Sequence, residues 1–109
     1  METVENKYRV RDYEVDIRFP EFTCLCPKTS QPDFAEIIIT YVPNALLVEL
    51  KSLKLYLNSY RDKGIFHEEA VNRILDDFVT AVRPKNVEVI GKFNVRGGLH
   101  TTVTADYSA

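Results

Sequence analysis

Phe34-Ala35-Glu36-Ile37-Ile38-Ile39-Thr40-Tyr41-Val42 is the stretch that decides the fold. Branched and aromatic side chains dominate it, and Pro43-Asn44 follows as a turn signal. Ala35, Ile37, Ile39 and Tyr41 form one alternating apolar set. Phe34, Ile38 and Val42 form most of the other. A strand apolar on both faces is ordinarily buried on both. The stretch therefore predicts an interior strand of a sheet with one face under helices and the other against a second copy of the chain.

Upstream, Tyr13 to Phe19 alternates apolar and charged residues, which predicts a half-buried strand closed by Pro20. A loop with Cys24, Cys26, Pro27 and Pro32 then leads into the deciding strand. Downstream, Leu53, Leu57 and Tyr60 share one side of a helix expected over Ser52–Arg61, with Gly64 as its stop. Val71, Ile74, Leu75, Phe78 and Val82 keep helical spacing from about His67 to Val82, before Pro84. Two more alternating strands, Val87–Val95 and Leu99–Tyr107, flank the hairpin signal Gly97-Gly98. The order is β-β-α-α-β-β. It predicts an α+β fold, a four-stranded antiparallel sheet with two helices on one face. Residues 1–12 read as a polar extension, extended or frayed, and 13–109 as a single domain.

The chain has 109 residues, a size for one domain. A net charge of −2 argues against broad nucleic-acid binding. No apolar run approaches a membrane span, and the acidic start Met1-Glu2-Thr3-Val4-Glu5 lacks a signal-peptide core. The expected compartment is the cytoplasm, where thiols stay reduced. Cys24 and Cys26 are too close in sequence for an easy mutual disulfide, so a free thiol is expected.

Several residues offer chemistry. Cys26 precedes a proline, and its thiolate would be a nucleophile. Asp33, seven residues on, is placed to take the thiol proton and return it. The alternative is a small buried hydrophobe and a turn residue. Cys24 is the rival thiol; Pro27 fixes the backbone of Cys26 better, which favours Cys26. Lys51 and Lys54 lie three apart on one helix face and suit a phosphate, or merely solvent. Arg96 adds a cation before the glycine turn, or decorates the hairpin. Glu68 and Glu49 are either favourable charges at helix starts or carboxylates accepting from a guanine-like edge. His67 would cap its helix, bind substrate or relay a proton. Cys24, Cys26, His67 and His100 supply zinc-type atoms, but at none of the usual spacings, and no metal is expected. There is no GxGxxG and no P-loop.

Four segments together resemble one family: FTCLCPKTSQPDFA, VELKSLKLYLNSYR, FHE and GKFNVRGG, spanning positions 22 to 98. They are similar to the NADPH-dependent 7-cyano-7-deazaguanine reductases, the queuosine-pathway nitrile reductases of QueF type, in their short single-module form. The second segment fits the signature Glu-(Ser/Leu)-Lys-(Ser/Ala)-hydrophobic-Lys, with Leu50 at its variable position. The resemblance implies the tunnelling fold of GTP cyclohydrolase I, with subunits in pentameric rings stacked as a decamer and sites between subunits. It implies that Cys26 attacks the nitrile carbon to give a thioimide and that Asp33 is the general acid/base. It implies that Val48, Glu49, Leu50, His67 and Glu68 hold the deazaguanine, and that Lys51, Lys54 and Arg96 hold NADPH phosphates. The product would be 7-aminomethyl-7-deazaguanine, a precursor of the tRNA nucleoside queuosine. Two rivals stand beside it: an archaeosine-type amidinotransferase acting on the same nitrile in tRNA, and a noncatalytic purine- or pterin-binding oligomer. The NADPH-type lysines and mild acidity favour the reductase.

Overall fold

A computed structural model describes residues 1–109. Its elements are β1 (Thr3–Glu5), β2 (Val15–Leu25), β3 (Pro32–Val42), β4 (Leu46–Val48), α1 (Leu50–Asn58), α2 (His67–Val82), β5 (Asn86–Arg96) and β6 (Leu99–Ser108). The main sheet is antiparallel in the order β2-β3-β5-β6, so the stretch that decides the fold is interior, as expected. Both helices pack on one face. Ala35, Ile37, Ile39 and Tyr41 of β3 join Leu53, Leu57, Val71, Ile74 and Phe78 of the helices in one core. Two-residue hairpins favour positive φ, and Gly97 (φ 59) and Gly98 (φ 86) supply it between β5 and β6.

The other face of the sheet is more mixed than its sequence implied. Ile38 is 4 % exposed, whereas Phe34 is 52 % exposed. Glu36 and Thr40 on β3, with Glu88 and Lys92 beside them on β5, interrupt the apolar set.

Several boundaries differ from expectation for physical reasons. Pro20 does not end β2. The strand continues to Leu25 through an irregularity between Phe19 and Phe22, where three steps on β2 match two on β3. β2 is an edge strand, where a missing N–H leaves no partner unsatisfied and bulges are common. Of the two readings of the N-terminal extension, residues 3–5 take the extended one: β1 pairs with β4, a short strand unmarked by any strong pattern. The Asn6 amide donates to Asn44 O (2.8 Å), and its Oδ1 accepts from Tyr13 (2.6 Å), which pins the extension to the domain. α1 starts at Leu50 rather than Ser52 because Glu49 caps it, accepting from the N–H groups of Ser52 (2.8 Å) and Lys51 (3.0 Å). α1 then ends at Asn58, ahead of the expected stop. α2 has the expected limits. Tyr56 ties the helices together by donating to Asp77 while meeting the Tyr60 hydroxyl at 2.8 Å.

Candidate active site

Strand register builds the site at one end of the sheet. Cys24 of β2 lies opposite Asp33 of β3, so the turn between them carries Cys26 back over the strand end. The Cys26 N–H donates to Gln31 O, and the Ser30 N–H donates to Cys26 O, each at 2.8 Å. The α1–α2 connection braces the approach to this turn. Leu25 donates to Lys63 O (2.9 Å) and accepts from Ile65 N–H (3.0 Å).

The two thiols have opposite environments. Cys24 is fully buried, and burial, reinforced by the nearby Asp33 and Cys26, pushes its thiol up to about 11. Cys26 is partly exposed. The Thr29 hydroxyl, then the N–H groups of Lys28 and Thr29, hold its thiol below the ordinary value, and Arg96 adds positive potential. Cys24 is thus an inert core thiol, and Cys26 has the more acidic, accessible sulfur.

Asp33 is one of two buried polar residues, at 7 % exposure. Its Oδ2 lies 3.2 Å from His67 Nε2, at the start of α2. Its Oδ1 accepts from Arg96 Nη1. A second bulge makes that contact possible. Residues three apart on a regular strand face opposite sides. The irregularity between Phe93 and Arg96 resets the alternation, so both reach the Asp33 side. Arg96 also donates to Gln31 and Thr29, fastening the Cys26 turn to β5. A cleft of about 350 Å³ opens beside this cluster, lined by Gln31, Asp33, Phe34, Asn94 and Arg96 among others.

Asp33, His67 and Arg96 therefore converge at the end of the sheet where the Cys26 turn lies, a turn that Arg96 holds through Gln31 and Thr29, with Glu68 exposed one residue beyond His67. Val48, Glu49, Leu50, Lys51 and Lys54 do not join them. Val48 is buried and donates its N–H to Tyr41, and both Glu49 oxygens are engaged by the α1 N-terminus. Hydrogen bonds from Ser52 and Lys51 hold the Glu49 carboxyl below its usual range. Leu50, Lys51 and Lys54 are exposed. Lys54 lines a separate groove with Ile17, Phe19 and Leu53. Along β2, Phe19 and Cys24 are roughly 15 Å apart. No group of three or more His, Cys, Asp or Glu side chains is arranged to hold a metal. No helix is long and apolar enough to cross a membrane.

The sequence reading gave no role to Thr29, Gln31 or Phe93. Thr29 follows Cys-Pro-Lys, where a hydroxyl in a tight turn readily reaches back. Phe93 looked like any strand core residue, yet its ring stacks on His67.

The four strands of the main sheet and the two helices, in the order β-β-α-α-β-β, with a thiol turn and a buried carboxylate at one end of the sheet, define a tunnelling-fold protein. The crystal structure of the archaeosine synthase QueF-Like in its apo form superimposes with a TM-score of 0.78. That match has 26 % identity and covers 90 % of this chain and 94 % of the other. The family model described as QueF-like protein matches residues 32–109, a span that holds Asp33, His67 and Arg96. The NADPH-dependent 7-cyano-7-deazaguanine reductase of Thermomicrobium roseum is 58 % identical over 107 residues, 98 % of this chain and 84 % of that protein. The enzyme of the same name from Chloroherpeton thalassium is 54 % identical over 109 residues, covering 100 % and 94 %. That from Nitrosomonas europaea is 54 % identical, covering 98 % and 77 %. The chain belongs to the QueF-like family.

Proposed function

We propose that this protein reduces the nitrile of 7-cyano-7-deazaguanine to the aminomethyl group, with NADPH as reductant, in the supply of queuosine. Relatives at 54–58 % identity carry that name, and the observation that carries the chemistry is the buried Asp33, held at both oxygens by His67 and Arg96 at the end of the sheet where the partly exposed Cys26 turn lies.

A nitrile is a weak electrophile, so it needs a strong nucleophile and a proton at once. Cys26 sulfur adds to the nitrile carbon, forming an S–C bond as one C–N π bond is lost. Asp33 takes the thiol proton and delivers it to the nitrile nitrogen, giving a thioimide with atoms and charge balanced. His67 and Arg96 hold the two carboxylate oxygens and fix where that proton resides. Burial of Asp33 keeps water from competing for it. In this reading the pocket for the deazaguanine forms between subunits, His67 and Glu68 coming from one and Val48, Glu49 and Leu50 from its neighbour, with Glu68 as an acceptor for the N–H edge.

Lys51 and Lys54 fit the cofactor, as two exposed ammonium groups one helical turn apart. Arg96 fits less simply, because its guanidinium is already engaged by Asp33, Gln31 and Thr29. When bound, NADPH supplies hydride, about two cofactors being needed per nitrile.

The separation of the lysines from Cys26 favours a homo-oligomer in which one subunit's α1 faces another's Cys26 turn, as pentameric rings stacked into a decamer. The unpaired edges of β2 and β6 and the exposed Phe34, Val95 and Leu99 support that assembly. We place the enzyme in the cytoplasm, with a small-molecule substrate rather than nucleic acid.

The test is intact mass after mixing with 7-cyano-7-deazaguanine, then NADPH consumption. An adduct absent from Cys26→Ala, with about two NADPH used per nitrile, is the expected result. An adduct with no NADPH use points to the amidinotransferase chemistry instead. Reversible binding with no adduct leaves a binding protein.

A further inference from the structure

We propose that Phe93 is a positioning residue for the reaction, acting through His67 on Asp33; its kinetic part rests on the nitrile-reducing reading above. The His67 and Phe93 rings are parallel within 5° with centroids 3.8 Å apart. His67 is the first residue of α2, where no helical turn precedes it to restrict its side chain. Contact with Asp33 at Nε2 fixes one atom of the imidazole but leaves the ring free to swing about that point. The stack supplies the missing constraint, the plane of the ring.

Phe93 can do this because it is itself immobilised. It is 3 % exposed and meets Phe22 edge-on, with centroids 6.3 Å apart and planes at 88°. Gly91, two residues earlier, leaves the space the ring needs. A Cβ there would lie 2.9 Å from the Phe93 ring and 2.6 Å from Val71 on α2. One strand therefore governs both oxygens of Asp33: Arg96 directly at Oδ1, and Phe93 through His67 at Oδ2. A large aliphatic residue such as leucine would fill much of the same core volume. Only a flat ring fixes the imidazole plane.

The experiment has two arms. The chain has two histidines, and His100 is exposed at the hairpin, so imidazole NMR signals are readily assigned. His67 is expected to be shifted upfield by the Phe93 ring current, and the shift to vanish in Phe93→Leu while His100 is unmoved. This arm needs no substrate, so it judges the placement of His67 even if the protein proves not to reduce nitriles. The second arm is a double-mutant cycle on the rate of nitrile adduct formation. Phe93→Leu is expected to slow the step about tenfold in the native background and to add nothing in His67→Gln. Equal losses in both backgrounds, or an unshifted His67 signal in the native protein, would overturn the proposal. Should Phe93→Leu not fold, Phe93→Met takes its place in both arms.

Discussion

The corner around Asp33 and the first turn of α1 stood out equally as motifs, yet only the corner is assembled within one chain. Backbone register makes the difference. Cys26, Asp33 and Arg96 sit on or between paired strands, so a fixed ladder and two bulges decide their distances. Lys51 and Lys54 project from the outer side of a helix whose inner residues, Leu53 and Leu57, are spent on the core. What an outward helix face meets is decided by other chains or ligands, not by its own fold.

The sharpest way to break this comparison is at the corner. Cys26→Ala is expected to lower nitrile reduction by more than about 10³-fold, with reversible ligand binding kept, and Cys24→Ala to leave the adduct intact. Loss of the adduct in Cys24→Ala alone would exchange the roles of the two thiols. Asp33→Asn keeps the shape and removes the proton carrier, and should cost about 10²–10⁴-fold in the rate of adduct formation measured by stopped mass spectrometry.

The lysine turn is tested by mixing inactive variants. If one subunit supplies Cys26 and its neighbour Lys54, co-refolded Cys26→Ala and Lys54→Ala chains should recover about a quarter of native activity by random pairing. No recovery would mean that Lys54 serves the Cys26 of its own chain, against the separation within the subunit.

A smaller effect distinguishes the two cysteines by pH. The Cys26 thiol is depressed chiefly by the Thr29 hydroxyl. Its alkylation by iodoacetamide should therefore rise at lower pH than for an ordinary thiol, and Thr29→Val should move that rise upward. Cys24, raised by burial to about 11, is neutral in the fold below the ordinary value of 9.0. Its contribution to stability is complete below that value and is lost as pH climbs toward about 11. Cys24→Ala should therefore flatten part of the alkaline decline in melting temperature.

The limits of legibility follow the same division. The order of the four long strands and two helices, and the limits of α2, are readable because their apolar periods are long and clean. The extension of β2 past Pro20 was not, since a proline is tolerated only because the strand is an edge, and edges are a property of the whole sheet. Nor was the β1–β4 pair, whose strands are three residues each. Residue type and spacing single out Cys26 and Asp33 as candidates but leave a buried hydrophobe and a turn residue as the alternative; their proposed roles come from the family resemblance. The contact between Asp33 and Arg96, 63 positions apart, depends on a bulge that leaves no plain mark in the sequence.

The smallest effect separates the corner from the rest of the fold most cleanly. Two non-glycine residues hold left-handed backbone: Ser30 (φ 59), in the Cys26 turn, and Arg83 (φ 50), closing α2 through its N–H to Val79 O at 2.9 Å. Such a conformation costs an ordinary residue about 1–2 kcal/mol. Glycine removes the strain but gives back part of it as unfolded-chain entropy, so Ser30→Gly and Arg83→Gly should each stabilise by about 0.5–1 kcal/mol, read as denaturant midpoints. Their kinetics should differ. Arg83 lies at the far end of α2, about 24 Å of helix from His67, and its glycine variant should leave adduct formation unchanged. Ser30 donates its N–H to Cys26 O, so loosening it should slow the thiol's addition by about two- to threefold even as the protein gains stability. If both variants stabilise and neither slows the reaction, the Cys26 turn is held by Arg96 and Thr29 alone. If Ser30→Gly destabilises, its side chain contributes a contact worth more than the strain it carries.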